Sequence, residues 1–187
     1  MEIKSNKLPQ MVLPPSIPYD GLSHVAFYAD DMHAATKQTE EELGMPLMCL
    51  MDIPGGGQHS FHDAGNGAFM SFMWFPKEKR ADKPDRSFSH IAYLIPDAYF
   101  EKVREDLEQK GLLNYAIYHG LEAPMQVDAD HPDVWIRSLY LKKTMGMTLE
   151  IASVKTALDP RKHIFTDPRN ADGEKVPYKS IFVKDLG

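Results

Sequence analysis

The chain has 187 residues and a formal net charge of -6, with 43% hydrophobic and 26% charged residues. That is the balance of a soluble globular protein holding one ordinary domain or two small fused units. The acidic balance provides no basic face for a nucleic-acid backbone, which argues against a nucleic-acid partner. Cys49 is the only cysteine, so intrachain disulfides and thiolate zinc sites are excluded, which fits a cytoplasmic location.

Residues 1–19 carry Pro9, Pro14, Pro15 and Pro18 without a continuous apolar run. They read as an extended arm, neither a signal peptide nor a membrane span. From Gly21 to Tyr28, His24, Ala26 and Tyr28 alternate with Val25 and Phe27 as in a half-buried strand. Asp30 and Asp31 offer an N-cap to a helix over Met32–Leu43, which Gly44 and Pro46 stop. A strand over Leu47–Ile53, a Pro54-Gly55-Gly56-Gly57 turn, a strand over Gln58–His62, a turn over Asp63–Gly67 and an apolar strand over Ala68–Phe75 follow. The order is β-α-β-β-β.

Residues 77–86, with Lys77, Lys79, Arg80, Lys83, Arg86 and Pro84, read as a solvated linker. The same order then returns: strand Phe88–Ile95, helix Asp97–Lys110 ended by Gly111, strand Leu113–Tyr118, a loop through Asp133, strand Val134–Leu141 and strand Met147–Ser153. Residues 156–187 turn polar and proline-punctuated, as in a tail lying over the surface or a partner rather than a third domain. The division is therefore arm 1–19, domain 20–155 (module one 20–76, linker 77–86, module two 87–155) and tail 156–187.

The two modules are related in sequence. Leu22-Ser23-His24-Val25-Ala26-Phe27 returns as Phe88-Ser89-His90-Ile91-Ala92-Tyr93, and Gly67-Ala68-Phe69-Met70-Ser71 aligns with Gly146-Met147-Thr148-Leu149-Glu150. A lone histidine on an apolar strand is usually a hydrogen-bonded core residue. Here two histidines share one repeat position, and Glu150, between Leu149 and Ile151, is costly to bury without a cation. His24, His90 and Glu150 make a two-His-one-carboxylate metal set, the type that favours non-haem Fe(II) and leaves positions open.

This pattern resembles the vicinal oxygen chelate superfamily, which includes extradiol ring-cleavage dioxygenases, glyoxalase I and the fosfomycin-resistance transferases. The resemblance covers roughly residues 20 to 155. It implies an α+β fold in which two βαβββ modules form a cupped, partly open mixed sheet with the metal on its concave floor. Glyoxalase I enzymes use a fourth protein ligand, an acid, where this chain has Ser71, so three protein ligands are expected here.

His131, then Tyr140 nine residues on, Gly146 six further and Glu150 four further, is similar to the extradiol dioxygenase signature. In those enzymes the His and Tyr hydrogen-bond the bound diol or the oxygen intermediate, roles that fall on His131 and Tyr140. Lys143 and Thr144 depart from the usual pattern, and His131 as a loop residue and Tyr140 as a core aromatic remain alternatives. The family's acid/base histidine is missing near Gly67 or Ala68. His59 and His62 lie on opposite strand faces, and His62, beside the turn at Asp63, is the expected substitute.

The favoured expectation is an Fe(II)-dependent extradiol dioxygenase that cleaves a catechol-like diol with O2, with Trp74, Trp135, Phe72 and Tyr93 available to sandwich the ring. The partners expected are that diol and O2, with no nucleic acid, no membrane and assembly as a dimer or larger homo-oligomer. Two alternatives stay open. One is a non-redox lyase, isomerase or thiol transferase of the same superfamily using Mn(II), Ni(II) or Zn(II); the other is a non-catalytic small-molecule binding protein.

Overall fold

The computed structural model describes residues 17–80, 89–121, 127–142 and 148–183. Most of the expected arm, most of the linker, and Lys143, Thr144 and Gly146 lie outside the described residues. The first module contains β1 (Gly21–Tyr28), α1 (Met32–Glu41), β2 (Leu47–Ile53), β3 (Gly57–Gly65) and β4 (Ala68–Trp74). A helical turn, α2 (Lys77–Arg80), starts the segment read as linker. The second module contains β5 (His90–Leu94), a 3-10 turn at Asp97–Tyr99 leading into α3 (Phe100–Gln109), then β6 (Leu113–Gly120), β7 (Val134–Leu141) and β8 (Thr148–Val154). The short α4 (Pro160–His163) opens the tail.

The strands form one eight-stranded sheet in the order β2-β3-β4-β1-β5-β8-β7-β6. Within each module the first and last strands pair in parallel, and β1 meets β5 antiparallel at the centre. Phe61 on β3 and Trp135 on β7 are five strand spacings apart in that order, about 24 Å in a flat sheet. Their ring centroids are 4.9 Å apart. The sheet is therefore curled into a half-barrel, as the α+β reading requires.

Local chemistry sets the hairpins and helices. Asn66 (φ 54°) and Gly67 (φ 76°) take the two positive-φ positions between β3 and β4, the conformation that Asn-Gly pairs favour. Asp31 caps α1 by accepting from the Ala34 N–H at 2.7 Å. In α3, Phe100, Val103 and Leu107 recur at helical spacing and pack on Leu139, Ile151 and Ile95 behind module two. Met32, Leu47, Leu50 and Trp74 form the matching cluster behind module one, where Ile164 and Tyr178 of the tail join them. A third cluster, with Cys49, Met51, Phe61, Ala92, Trp135 and Ile136, fills part of the concave side and joins the two walls. No described helix is long and apolar enough to cross a membrane.

Candidate metal centre

The sheet's central register brings the three candidate ligands together. His24 pairs with Ala92 and Ala26 pairs with His90 across β1 and β5, while Glu150 on β8 pairs with Ala92. Ala26 and Ala92 are fully buried, and their short side chains leave room for two imidazoles to turn towards each other over the floor. His24 Nε2 lies 3.0 Å from His90 Nε2, and Glu150 Oε2 lies 3.6 Å from the first and 3.1 Å from the second. Among the described residues, these three form the group able to hold a metal ion.

The Ser-His dipeptide of the repeat gains a physical reason here. Ser23 Oγ is 3.2 Å from His24 Nδ1, and Ser89 Oγ is 2.9 Å from His90 Nδ1. Each serine can accept the Nδ1 proton, which fixes the tautomer that leaves Nε2 as a free lone pair.

These residues fit a divalent cation. Ligands at right angles and about 2.1 Å from one ion stand about 3.0 Å apart, close to the observed spacings. Glu150 is fully buried beside His90 Nε2, with the Ser138 and Tyr140 hydroxyls as its other polar neighbours, and a carboxylate so placed costs several kcal/mol unless a cation neutralises its charge. Burial alone would raise the Glu150 pKa. The His24 charge and contact with His90 outweigh that effect and hold it far below the usual carboxylate range. Burial pushes His24 down to about 4 despite Glu150, so at neutral pH it is an unprotonated ligand.

Around the triad stand groups of two kinds. On the module-one side, His59 Nε2 lies 2.6 Å from Ser71 Oγ, both side chains buried. On the module-two side, Tyr140 pairs directly with Glu150, and its ring stacks on Tyr115 at 4.8 Å. Burial, then the Glu150 charge, raises the Tyr140 phenol well above its ordinary value. His119 is buried on β6, and burial lowers it to about 4. Sequence reasoning passed over His119, although Tyr115, Ile117 and His119 alternate on the strand beside Tyr140.

Three expectations are corrected. His62 does not point into the cup: it is fully buried on the other face of β3, against Phe72 and the Met45 carbonyl. The inward histidine is His59, and the repeat contained the signal, because Phe61 lies ten before Ser71 as Tyr140 lies ten before Glu150. His131 sits in the bend before β7, 41% exposed, with Nδ1 accepting from the Asp133 N–H at 3.3 Å. An extended strand separates it from Tyr140 at the far end. Of the four aromatics proposed to sandwich a ring, Trp74 and Phe72 belong to the cluster behind module one, Tyr93 is 42% exposed beside outward Ile151, and only Trp135 joins the concave cluster.

No protein-family model matches the chain, and no curated protein does. Solved structures do. A methylmalonyl-CoA epimerase from Mycobacterium tuberculosis matches with a TM-score of 0.56 and 18% identity over 79% of this chain and 95% of that one. A hypothetical protein from Bacillus halodurans matches with a TM-score of 0.53 and 15% identity, covering 74% and 96%. A variant of the Streptomyces coelicolor methylmalonyl-CoA epimerase, in complex with 2-nitronate-propionyl-CoA, matches with a TM-score of 0.51 and 14% identity, covering 74% and 99%. At these identities the likeness is one of fold. The ring-cleavage dioxygenase expectation is overturned: the named neighbours are epimerases, isomerases and not oxygen-consuming enzymes. The part-exposed position of His131, before β7 and at the opposite end of that strand from Tyr140, removes one of the two residues that carried the signature.

Proposed function

Starting from a vicinal oxygen chelate fold whose concave floor carries a His-His-Glu triad, we propose a metal-dependent, non-redox isomerase that moves a proton at a carbon next to a carbonyl. The observation that carries this reading is the mutual 3.0–3.6 Å spacing of His24 Nε2, His90 Nε2 and Glu150 Oε2, with the Ser71 hydroxyl turned to His59 instead of serving as a fourth ligand. His24, His90 and Glu150 hold the ion, which is Mn(II), Ni(II) or Zn(II) in this reading. When bound, it supplies Lewis-acid polarisation of a substrate carbonyl oxygen.

The chain's own groups supply the rest. Two neutral imidazoles and one carboxylate only partly neutralise a divalent ion, so the site retains positive charge where negative charge develops on oxygen as the adjacent carbon loses its proton. The apolar wall of Phe61, Trp135 and Ile136 keeps the local dielectric low and strengthens that interaction. The neighbours named as acting on CoA thioesters make an acyl thioester one candidate substrate class, beside free oxo acids.

The test is proton exchange. The protein loaded in turn with each metal is incubated without oxygen in heavy water with a panel of oxo acids and acyl-CoA thioesters, methylmalonyl-CoA included. Deuterium is expected at the carbon next to the carbonyl of at least one compound. No exchange with any metal and any compound rejects the isomerase reading.

A further inference from the structure

The two modules differ at one functional position, and the difference places a hydrogen-bonded pair beside the triad. Glu150 sits two strands from His24 in one cross-sheet row, through Ala92. Ser71 sits two strands from His90 in the equivalent row, through Ala26. Serine therefore occupies the site of the repeat where the other module places its carboxylate. Its side chain is too short to reach as far as a glutamate. Behind it, at 2.6 Å, stands His59 Nε2, on the strand position that Ser138 takes in module two.

We propose that Ser71 and His59 form the acid/base pair of the isomerase, with Ser71 Oγ facing the substrate and His59 Nε2 holding the proton. The inference rests on the isomerase reading, and it supplies the proton-moving group that the triad lacks. The substrate C–H bond breaks and an O–H bond forms on Ser71, while the original Ser71 O–H breaks and an N–H forms at His59 Nε2. The C–H electron pair becomes the π bond between that carbon and the carbonyl carbon, and the C=O π pair moves onto the oxygen. Return of the proton from the pair to the opposite face of that carbon, or to its neighbour, gives the isomer, and return to the same face gives exchange; neither route involves net oxidation or a co-reactant.

The surroundings suit that role. A hydroxyl within 2.6–3.2 Å of an imidazole is the usual geometry for activating a serine by a base. Burial lowers His59 well below its ordinary value. It is thus neutral at physiological pH, with its Nε2 lone pair directed at the Ser71 hydroxyl. Phe61 packs on the ring at 4.3 Å and fixes its plane.

The test uses the full chain in two forms. In the metal-free protein, nitrogen NMR of the imidazoles should show His59 as the Nδ1–H tautomer, its Nε2 accepting from Ser71, and Ser71→Ala should shift that Nε2 signal. In the metal-loaded protein, Ser71→Ala and His59→Gln should each lower proton exchange by about a hundredfold or more, with metal content and thermal midpoint retained. Exchange within about threefold of wild type in both variants overturns the pair and leaves the isomerase reading standing. A His59 signal indifferent to Ser71→Ala also overturns the pair. Loss of metal in His59→Gln shows instead a ligand role and overturns it too. A wild-type protein that exchanges no substrate proton overturns both readings together.

Discussion

Glu40 offers the sharpest test of how the tail is tied to the domain. It is 1% exposed at the end of α1 and accepts from four donors: the Leu47 N–H at 2.7 Å, the Tyr178 hydroxyl at 2.7 Å, the Ser180 hydroxyl at 2.6 Å and the Ile181 N–H at 3.2 Å. Glu40→Ala removes all four acceptors at once. Tyr178 and Ile181 are close enough to solvent to find water, but Leu47 is fully buried and Ser180 is 6% exposed. Counting only the latter two, at about 1.5–3 kcal/mol for each bond to a charged group, the loss is about 3–6 kcal/mol. That is a large share of the roughly 5–15 kcal/mol that separates a folded domain from its unfolded chain. Urea denaturation should show a lower midpoint with an unchanged slope, and limited proteolysis should cut the tail near Arg161 and Lys162 faster than in wild type. A loss below about 1 kcal/mol, with the tail equally protected, would refute the argument that this carboxylate anchors it.

Two further outcomes follow from the site. Ser23→Ala and Ser89→Ala remove the partners that fix the His24 and His90 tautomers, and metal titration should show affinity weakened by about 10–100-fold for each; unchanged affinity would make the serines packing residues. The metal-free protein should lose stability in acid. Burial lowers both His62 and His119 to about 4 from an ordinary 6.5, so the folded state binds fewer protons than the unfolded one between those values. Their contribution is complete above about pH 6.5 and is lost as pH falls towards about 4, at up to about 1.4 kcal/mol per pH unit for each proton. A flat midpoint between pH 7 and 4.5 would contradict it.

Much of the fold was legible because the sequence repeats, and a repeat carries register. Once Ser23-His24 and Ser89-His90 are aligned, period-two alternation places His24, His90 and Glu150 on one side of their strands without any coordinates. The failures came where alternation needs an anchor. His59 and His62 fall on opposite faces, and a choice anchored on the turn at Asp63 fails because the register shifts between Asp63 and Gly65; the ten-residue offset of Phe61 from Ser71, matching that of Tyr140 from Glu150, is the anchor that selects His59. Only spacing points to His131, and spacing does not show that a bend ends before Val134 and holds the side chain partly exposed against the Asp133 N–H. Residue type alone makes Trp74 and Tyr93 candidates to hold a ring, whereas the strand face decides what each can touch. Glu40 gave no signal, since its partners in the tail lie 138 to 141 residues away in sequence.

The central claim is that His24, His90 and Glu150 together bind one divalent ion. Equilibrium dialysis of the metal-free protein against Mn(II), followed by metal analysis, measures it directly in wild type and in Glu150→Gln, which keeps the shape and removes the charge. The account predicts one tightly held equivalent in wild type and none in the variant, with both chains folded. Equal stoichiometry in the two, or no bound metal in wild type, would contradict it.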